Sequence, residues 1–176
     1  IKVAYTIASQ AREKGLDPAS RVEIPLAATL IERVTGLVSI KYPQIKDARI
    51  EKRILDLEKE HGLLDPAVAL TIAEEIAKEK FCKFKSQLEA IDAGIRVGLA
   101  YLTLGVVASP LEGFTNFTLK KTKDGKDYFA LFYSGPIRSA GGTAAALSVV
   151  IADYLRETLG YTKYDPTEAE TKRAVT

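Results

Sequence analysis

The stretch "FTNFTLKKTKDGKDYFALFY", residues 114–133, decides the fold class. It is rich in aromatic residues and threonine, and Asp124-Gly125 lies in its middle. Two β-prone runs separated by Asp-Gly read as an antiparallel hairpin, with strands over 114–121 and 127–133. A two-stranded ribbon is marginal by itself. It therefore needs a third strand, from before Pro110, or a bed of helices. Everything N-terminal to it repeats at helical spacing, so the hairpin turns a helical chain into an α+β one.

Working back from Pro110, Leu88, Ile91, Ile95, Leu99, Leu102 and Val106 keep helical phase from Ser86 to about Ser109. This helix reads as the spine. Gly94, Gly98 and Gly105 weaken it by about 1 kcal/mol each relative to alanine, and they let another element approach closely. Asp65-Pro66 caps an earlier helix with Val68, Ile72 and Ile76 inward. Before that, "KDARIEKRILDLEKE" (46–60) is a charged helix with a narrow apolar stripe of Ile50, Ile54 and Leu57. Lys52, Asp56 and Lys59 stand at ion-pair spacing along it. Residues 24–35 predict a helix with Pro25 in its first turn, Leu26, Leu30 and Val34 on one face, and Gly36 as its stop. Residues 1–15 predict another, closed by Gly15, with a turn at Asp17-Pro18.

Working forward, Gly135-Pro136 turns the chain out of the ribbon. "SGPIRSAGGT" (134–143) then leads into a run, Ala144 to Ala152, that is apolar on nearly every face and reads as a buried helix. The expected fold is therefore α+β, predominantly helical, with a small antiparallel hairpin or three-stranded sheet. Residues 1–109 form its helical region and 110–160 its hairpin plus buried helix, in the same domain. Residues 161–176 begin a linker or a further helix, with Asp165, Pro166 and Glu168 in capping positions. A chain that opens inside a helical pattern at Ile1 and stops just after a helix start is expected to continue on both sides.

Net charge is only +2, so a nucleic-acid partner has to be met by a local patch. Cys82 is the only cysteine, which excludes an intrachain disulfide and a cysteine-built zinc site and fits a reduced, cytoplasmic setting. No run approaches the ~20 apolar residues of a membrane span. Methionine is absent, asparagine is represented by Asn116 alone, and charged residues reach 27%, a balance that leans toward a thermophilic source.

Three clusters invite a functional reading. The hairpin tip carries Lys120, Lys121, Lys123 and Lys126 against Asp124 and Asp127: a solvated turn, or a cationic ribbon that tracks a phosphate backbone. "KEKFCKFK" (78–85) sets Lys83 and Lys85 among Phe81 and Phe84: a helix end with two core rings, or a nucleic-acid surface. The loop before the apolar helix offers Gly141, Gly142 and Thr143 as backbone donors with Arg138 beside them: a tight packing turn, or a phosphate contact. It is not a P-loop, because Gly142 stands where that motif needs lysine. No catalytic or metal-binding constellation is visible. His61, the only histidine, sits where a helix C-terminus favours it, no motif supports a Cys82–His61 dyad, and no D-x-D pair appears.

The segment "YFALFYSGPIRSAGGTAAALSVVIADYLRE" (128–157) resembles the N-terminal region of the large subunit of archaeal family D DNA polymerases. "LEGFTNFTLKKTKDG" upstream and "GYTKYDPTEAE" downstream extend the resemblance over essentially the whole chain. It implies a parent DNA-directed DNA polymerase (a nucleotidyltransferase) with a small 3′–5′ exonuclease subunit as partner. It also implies Mg and zinc sites elsewhere, and no cofactor in this region. The expected role is a non-catalytic domain for DNA binding and subunit assembly, with DNA, the small subunit or a second large subunit as partners. The rival expectation is a purely structural docking or oligomerisation module without DNA contact.

Overall fold

The computed structural model describes residues 6, 9, 10, 13–15, 29–103, 109–135 and 142–175. Seven helices and one two-stranded antiparallel sheet are assigned among them: α1 (Leu30–Ser39), α2 (Ala48–His61), α3 (Pro66–Ala77), α4 (Gln87–Thr103), α5 (Ser109–Gly113), β1 (Phe114–Lys121), β2 (Asp127–Tyr133), α6 (Gly142–Thr158) and α7 (Glu168–Val175). The mostly helical α+β fold is the expected one. Of the first expected helix, residues 6, 9, 10, 13, 14 and 15 are described: the first four are helical and Lys14-Gly15 form a turn, with Gly15 at a φ of 67°. The Asp17-Pro18 turn and Pro25 lie outside the described residues.

Caps place the helices. Asp47 and Asp65 accept the main-chain N–H of Arg49 and Ala67, each at 2.8 Å, and Pro66 opens α3 where its missing N–H costs nothing. The Ile50–Ile54–Leu57 stripe of α2 is buried as expected. Helix α1 departs from expectation. It starts at Leu30 behind a Thr29 cap and runs through Gly36 to Ser39. Burial of Val38 and Tyr42 beyond the glycine outweighs its ~1 kcal/mol penalty, and the chain turns only at Pro43, where a short 3₁₀ turn (Pro43–Ile45) follows.

Helix α4 is the spine. Every residue from Ala90 to Tyr101 is buried, and two hydrophobic clusters share it. One joins α4 to α1, α2 and α3 through Val34, Ile45, Ile50, Leu57, Ile72 and Val97. The other joins it to the ribbon and α6 through Ile91, Ile95, Leu99, Phe114, Phe117, Ile151 and Leu155. Gly94 and Gly98 are where α3 comes closest: a Cβ on Gly94 would lie 2.5 Å from the Ala73 carbonyl oxygen.

A buried polar cluster ties the ribbon to this spine. Lys41, Tyr42 and Arg96 all donate to Asp92 Oδ2, at 2.7, 2.5 and 2.8 Å. Burial, then the bond to Asp92, holds the Tyr42 hydroxyl well above the usual phenol range. The other guanidinium nitrogens of Arg96 donate to the carbonyls of Phe114 (2.8 Å) and Thr115 (3.0 Å), at the start of β1.

Helix α6 corrects a second expectation. Ala144, Ile151, Ala152 and Leu155 are buried, but Val149 and Val150 are 50% and 56% exposed. The helix rests on α3, α4 and β2 along one face, and among the described residues nothing covers the other. The C-terminal capping box is also differently built. Thr167 and Glu170 exchange the reciprocal bonds (2.7 and 3.2 Å), and these, with the Tyr164 hydroxyl, pull the Glu170 carboxyl down to about 2. Asp165 is left to bind the hairpin.

Candidate nucleic-acid interface

The hairpin forms because Gly125 accepts a left-handed φ of 77° after Thr122, Lys123 and Asp124 have made a tight turn. The Gly125 N–H donates to the Thr122 carbonyl at 3.0 Å, and the Thr122 N–H to that of Lys126 at 2.8 Å. This is a three-residue loop closed by a glycine bulge. A second irregularity, at Thr115, sets which residues face the core. Phe114 pairs with Tyr133 but Asn116 with Phe132, so one residue of β1 is left over. That extra residue brings Phe114 and Phe117, three apart, to the same buried side, which strict alternation forbids.

The ribbon rests on helices and is clasped at its free edge by the chain after α6. Thr162 makes a single parallel bridge to Tyr128, and its N–H donates to the Asp127 carbonyl at 3.1 Å. Asp165 Oδ2 accepts the Lys123 main-chain N–H at 3.1 Å. The rings of Tyr128 and Tyr164 meet at 5.0 Å, and the Tyr164 hydroxyl donates to Glu170 at 2.7 Å. Among the described residues the sheet keeps two strands, and the only further pairing is this one bridge from the C-terminal side; residues 104–108, just before Pro110, lie outside the described residues.

All four expected lysines of the tip are exposed, but they are not equivalent. Lys121 pairs with Asp127 at 2.9 Å. Lys120 lies over the Phe132 ring, its Nζ 5.1 Å from the centroid. Lys123 reaches only the Pro166 carbonyl, at 3.5 Å. Among the described residues Lys120, Lys123 and Lys126 form no ion pair, and Lys123 acts on the Glu170 carboxylate only through space, so their charge is available to an external anion.

In the "KEKFCKFK" cluster the two rings face the core and three of the four lysines form surface ion pairs. Lys78 pairs with Glu74 (2.6 Å), Lys80 with Glu75 (3.1 Å) and Lys83 with Glu79 (3.1 Å). Phe81 and Phe84 pack against the α1–α4 core, and Phe84 meets Tyr42 edge-on. Lys85 alone of the four has no ion pair among the described residues. Among the described residues this loop is hydrogen-bonded to Gln44 of the 3₁₀ turn and to Arg49 of α2, which donates to the Phe81 carbonyl. Cys82 is half-buried, and burial, reinforced by Asp47, pushes its thiol up. His61 sits in the last turn of α2, 3.8 Å from Glu60.

Of the glycine loop, Arg138 and Gly141 lie outside the described residues. Gly142 and Thr143 are exposed in the first turn of α6. Among the described residues a Cβ at Gly142 would meet nothing within 4 Å.

Beside the ribbon, Phe129 and Leu131 of β2 and Val149, Ala152, Asp153 and Arg156 of α6 line a groove of about 350 Å³ that Lys163 and Tyr164 close. Arg156 Nε donates to Asp153 (2.7 Å) and Nη1 to the Tyr161 carbonyl (3.0 Å), which fixes the turn after α6. Sequence reading missed the Tyr128–Tyr164 clasp and the Arg96 brace. Aromatic residues on both faces of β2 were the available signal for the first; nothing in the local pattern marked the second.

Among the described residues no group of three or more His, Cys, Asp or Glu side chains can hold a metal ion, and no helix is long and apolar enough to cross a membrane. Fold and site together define a mostly helical α+β domain that presents a cationic ribbon. Residues 1–176 match the family described as "DNA polymerase II large subunit DP2, N-terminal", and the chain belongs to that family. It is 47% identical over 169 residues to the DNA polymerase II large subunit of Nanoarchaeum equitans, covering 96% of this chain and 14% of that one. It is 42% identical to the Methanococcoides burtonii large subunit over 175 residues (99% and 14%), and 43% to that of Thermoplasma volcanium over 176 (99% and 15%). The chain therefore spans about one seventh of the length of the curated relatives it matches.

Proposed function

We propose that the chain is a non-catalytic N-terminal domain of a replicative DNA-directed DNA polymerase large subunit, and that it holds DNA by its phosphates while helping to assemble the complex. The observation that carries this reading is the hairpin tip. Among the described residues Lys120, Lys123 and Lys126 form no ion pair, and they stand on a ribbon that Asp165, Thr162 and Arg96 hold in place. A fixed cationic ribbon binds phosphates with little ordering cost, without reading sequence, and with strong salt dependence. The relatives' common name, a large subunit, supports a multisubunit setting; a small exonuclease subunit as partner is part of this proposal and not of that name. Polymerisation, its Mg and any zinc belong in this reading to other parts of the protein.

The test is titration of the chain with labelled DNA across a salt series. Affinity falls steeply with salt, and the fall becomes shallower when Lys120, Lys123 and Lys126 are changed to glutamine. A flat salt response, or unchanged binding by the triple variant, refutes DNA contact here. Nucleotide incorporation by the chain alone refutes the non-catalytic role.

One observation favours a second reading, assembly without DNA contact. Val149 and Val150 form an exposed apolar step on α6 beside the groove. Light scattering separates the two: a monomer that binds DNA supports the first, and a DNA-blind dimer the second.

A further inference from the structure

We infer that the outer face of the ribbon is a stacking surface for the bases of single-stranded DNA, with Phe132 on the face and Tyr164 at its edge as the exposed rings. The inference rests on the DNA-contact half of the proposed function and adds what that reading leaves open, the strand state of the ligand and the groups that touch its bases.

The two faces of the ribbon have different fates. Phe117, Leu119, Phe129 and Leu131 turn inward and join the cluster under the sheet. By alternation and register, Asn116, Thr118 and Lys120 on β1 and Tyr128, Ala130 and Phe132 on β2 share the other face. A surface face that carries two aromatic rings has more apolar area than solubility asks for. Phe132 is 40% exposed and lies outside both hydrophobic clusters. Tyr164, 48% exposed, stands at the edge of the ribbon against Tyr128. Phe132 and Tyr128 are four residues apart on one strand, about 13 Å at about 3.3 Å per residue, with only Ala130 between them on that face. The floor between the rings is therefore low.

The charges select the occupant. Lys120 Nζ sits 5.1 Å from the Phe132 ring centre, and Lys123 and Lys126 follow at the tip, all three without an ion pair among the described residues. Rings beside unpaired cations match a ligand that alternates flat π-faces with phosphates. An apolar protein partner matches such a rim poorly. Duplex DNA offers the phosphates but keeps its base faces stacked on one another, so only an unpaired strand engages both features. One ring is also held in advance: Tyr164 is fixed by the Tyr128 ring and by Glu170, while the strand sets the Phe132 backbone and Lys120 lies over its ring. Binding then costs little side-chain freedom.

The chain has no tryptophan, so its eight tyrosines report stacking directly through their emission. The probes are oligo-dT of about ten nucleotides, within the site size of such surfaces, and a duplex of equal length. The expected result is tighter binding of oligo-dT than of duplex, with quenched tyrosine emission. Phe132→Ala weakens oligo-dT binding roughly tenfold while leaving the salt slope unchanged, because no cation is lost. Phe132→Tyr keeps the ring and restores binding. Tyr164→Ala lowers both affinity and quenching, and circular dichroism of each variant checks that the fold is retained. Equal or better binding of duplex overturns the inference, as does wild-type oligo-dT affinity in folded Phe132→Ala. If DNA still binds with lysine-dependent salt sensitivity, only the stacking claim falls. If neither probe binds, the proposed function falls with it. Self-association abolished by Phe132→Ala, without DNA binding, makes the face a protein interface and also overturns the claim.

Discussion

Replacing Gly94 by alanine tests the closest approach in the fold. The added methyl would lie 2.5 Å from the Ala73 carbonyl oxygen, 3.3 Å from its carbon and 3.5 Å from Ala77 Cβ. Non-bonded contacts of this kind settle near about 3.5 Å, so α3 has to withdraw from α4 by roughly 1 Å. The first obstacle is backbone, which has no rotamer to give. Overpacking of a well-packed core costs about 1–3 kcal/mol, and a backbone clash belongs at the upper end of that range. Alanine returns about 1 kcal/mol of helix propensity. The net loss is about 2 kcal/mol, a fall in melting temperature of roughly 4–8 °C for a chain of this length. Gly36 supplies the opposite case: it also lies inside a helix, but a Cβ there meets nothing within 4 Å. Gly36→Ala therefore gains up to about 1 kcal/mol, a rise of roughly 2–4 °C. Thermal melts and urea midpoints of the two variants beside wild type decide the matter. Gly94→Ala melting at or above wild type, or the two variants shifting in the same direction, refutes the close-approach argument.

Arg96→Ala removes the brace between α4 and β1 and leaves Asp92 with Lys41 as its remaining cation; breaking a buried pair costs about 3–5 kcal/mol, and amide exchange accelerates in the ribbon before it does in α2. In acid, burial alone raises the Glu75 carboxyl, but the hydrogen bonds from Arg53 and Lys80 outweigh it and the net shift is downward; Glu74 is lowered too, by Lys78 and then Tyr154. A lowered folded value means that the unfolded chain takes up protons first. This stability is present in full above the ordinary glutamate value of about 4.3 and is lost as pH falls through the folded value. Urea midpoints measured from neutral pH downward fall accordingly, less steeply in Glu75→Gln, and a midpoint that rises on acidification contradicts the assignment. For the hairpin lysines, the combined change of Lys120, Lys123 and Lys126 to glutamine lowers the magnitude of the log-affinity against log-salt slope by about 2, at roughly 0.7 per phosphate contact on single strands. Titrations at four or more salt concentrations read it.

Local chemistry was legible where the partners are close in sequence. Asp124-Gly125 announced the hairpin because a left-handed glycine after a tight turn needs no help from the rest of the chain. Asp65-Pro66 announced α3 for the same reason. Local signals failed where burial overruled them: Gly36 does not end α1, because Val38 and Tyr42 pull the chain onward into the core. The capping box belongs to Thr167 and Glu170, because Asp165 is drawn to Lys123 on the hairpin. In the candidate site, the four lysines of the tip could be picked out by composition. That Lys121 is neutralised by Asp127 while Lys120 lies over Phe132 depends on the cross-strand register, which composition does not carry.

The sequence by itself determined the α+β class, the spine helix, the ribbon and its turn, since each follows from periodicity or from groups within a few residues of one another. Only the tertiary structure decided that Gly94 lies against the Ala73 backbone while Gly36 meets no described neighbour, that Thr115 re-phases β1, that α6 leaves Val149 and Val150 exposed, and that Tyr164 closes on Tyr128. The physical reason is separation along the chain. Gly94 meets Ala73 and Tyr164 meets Tyr128 across intervals far longer than a helical turn. No local propensity encodes such contacts, which are set by how whole elements pack.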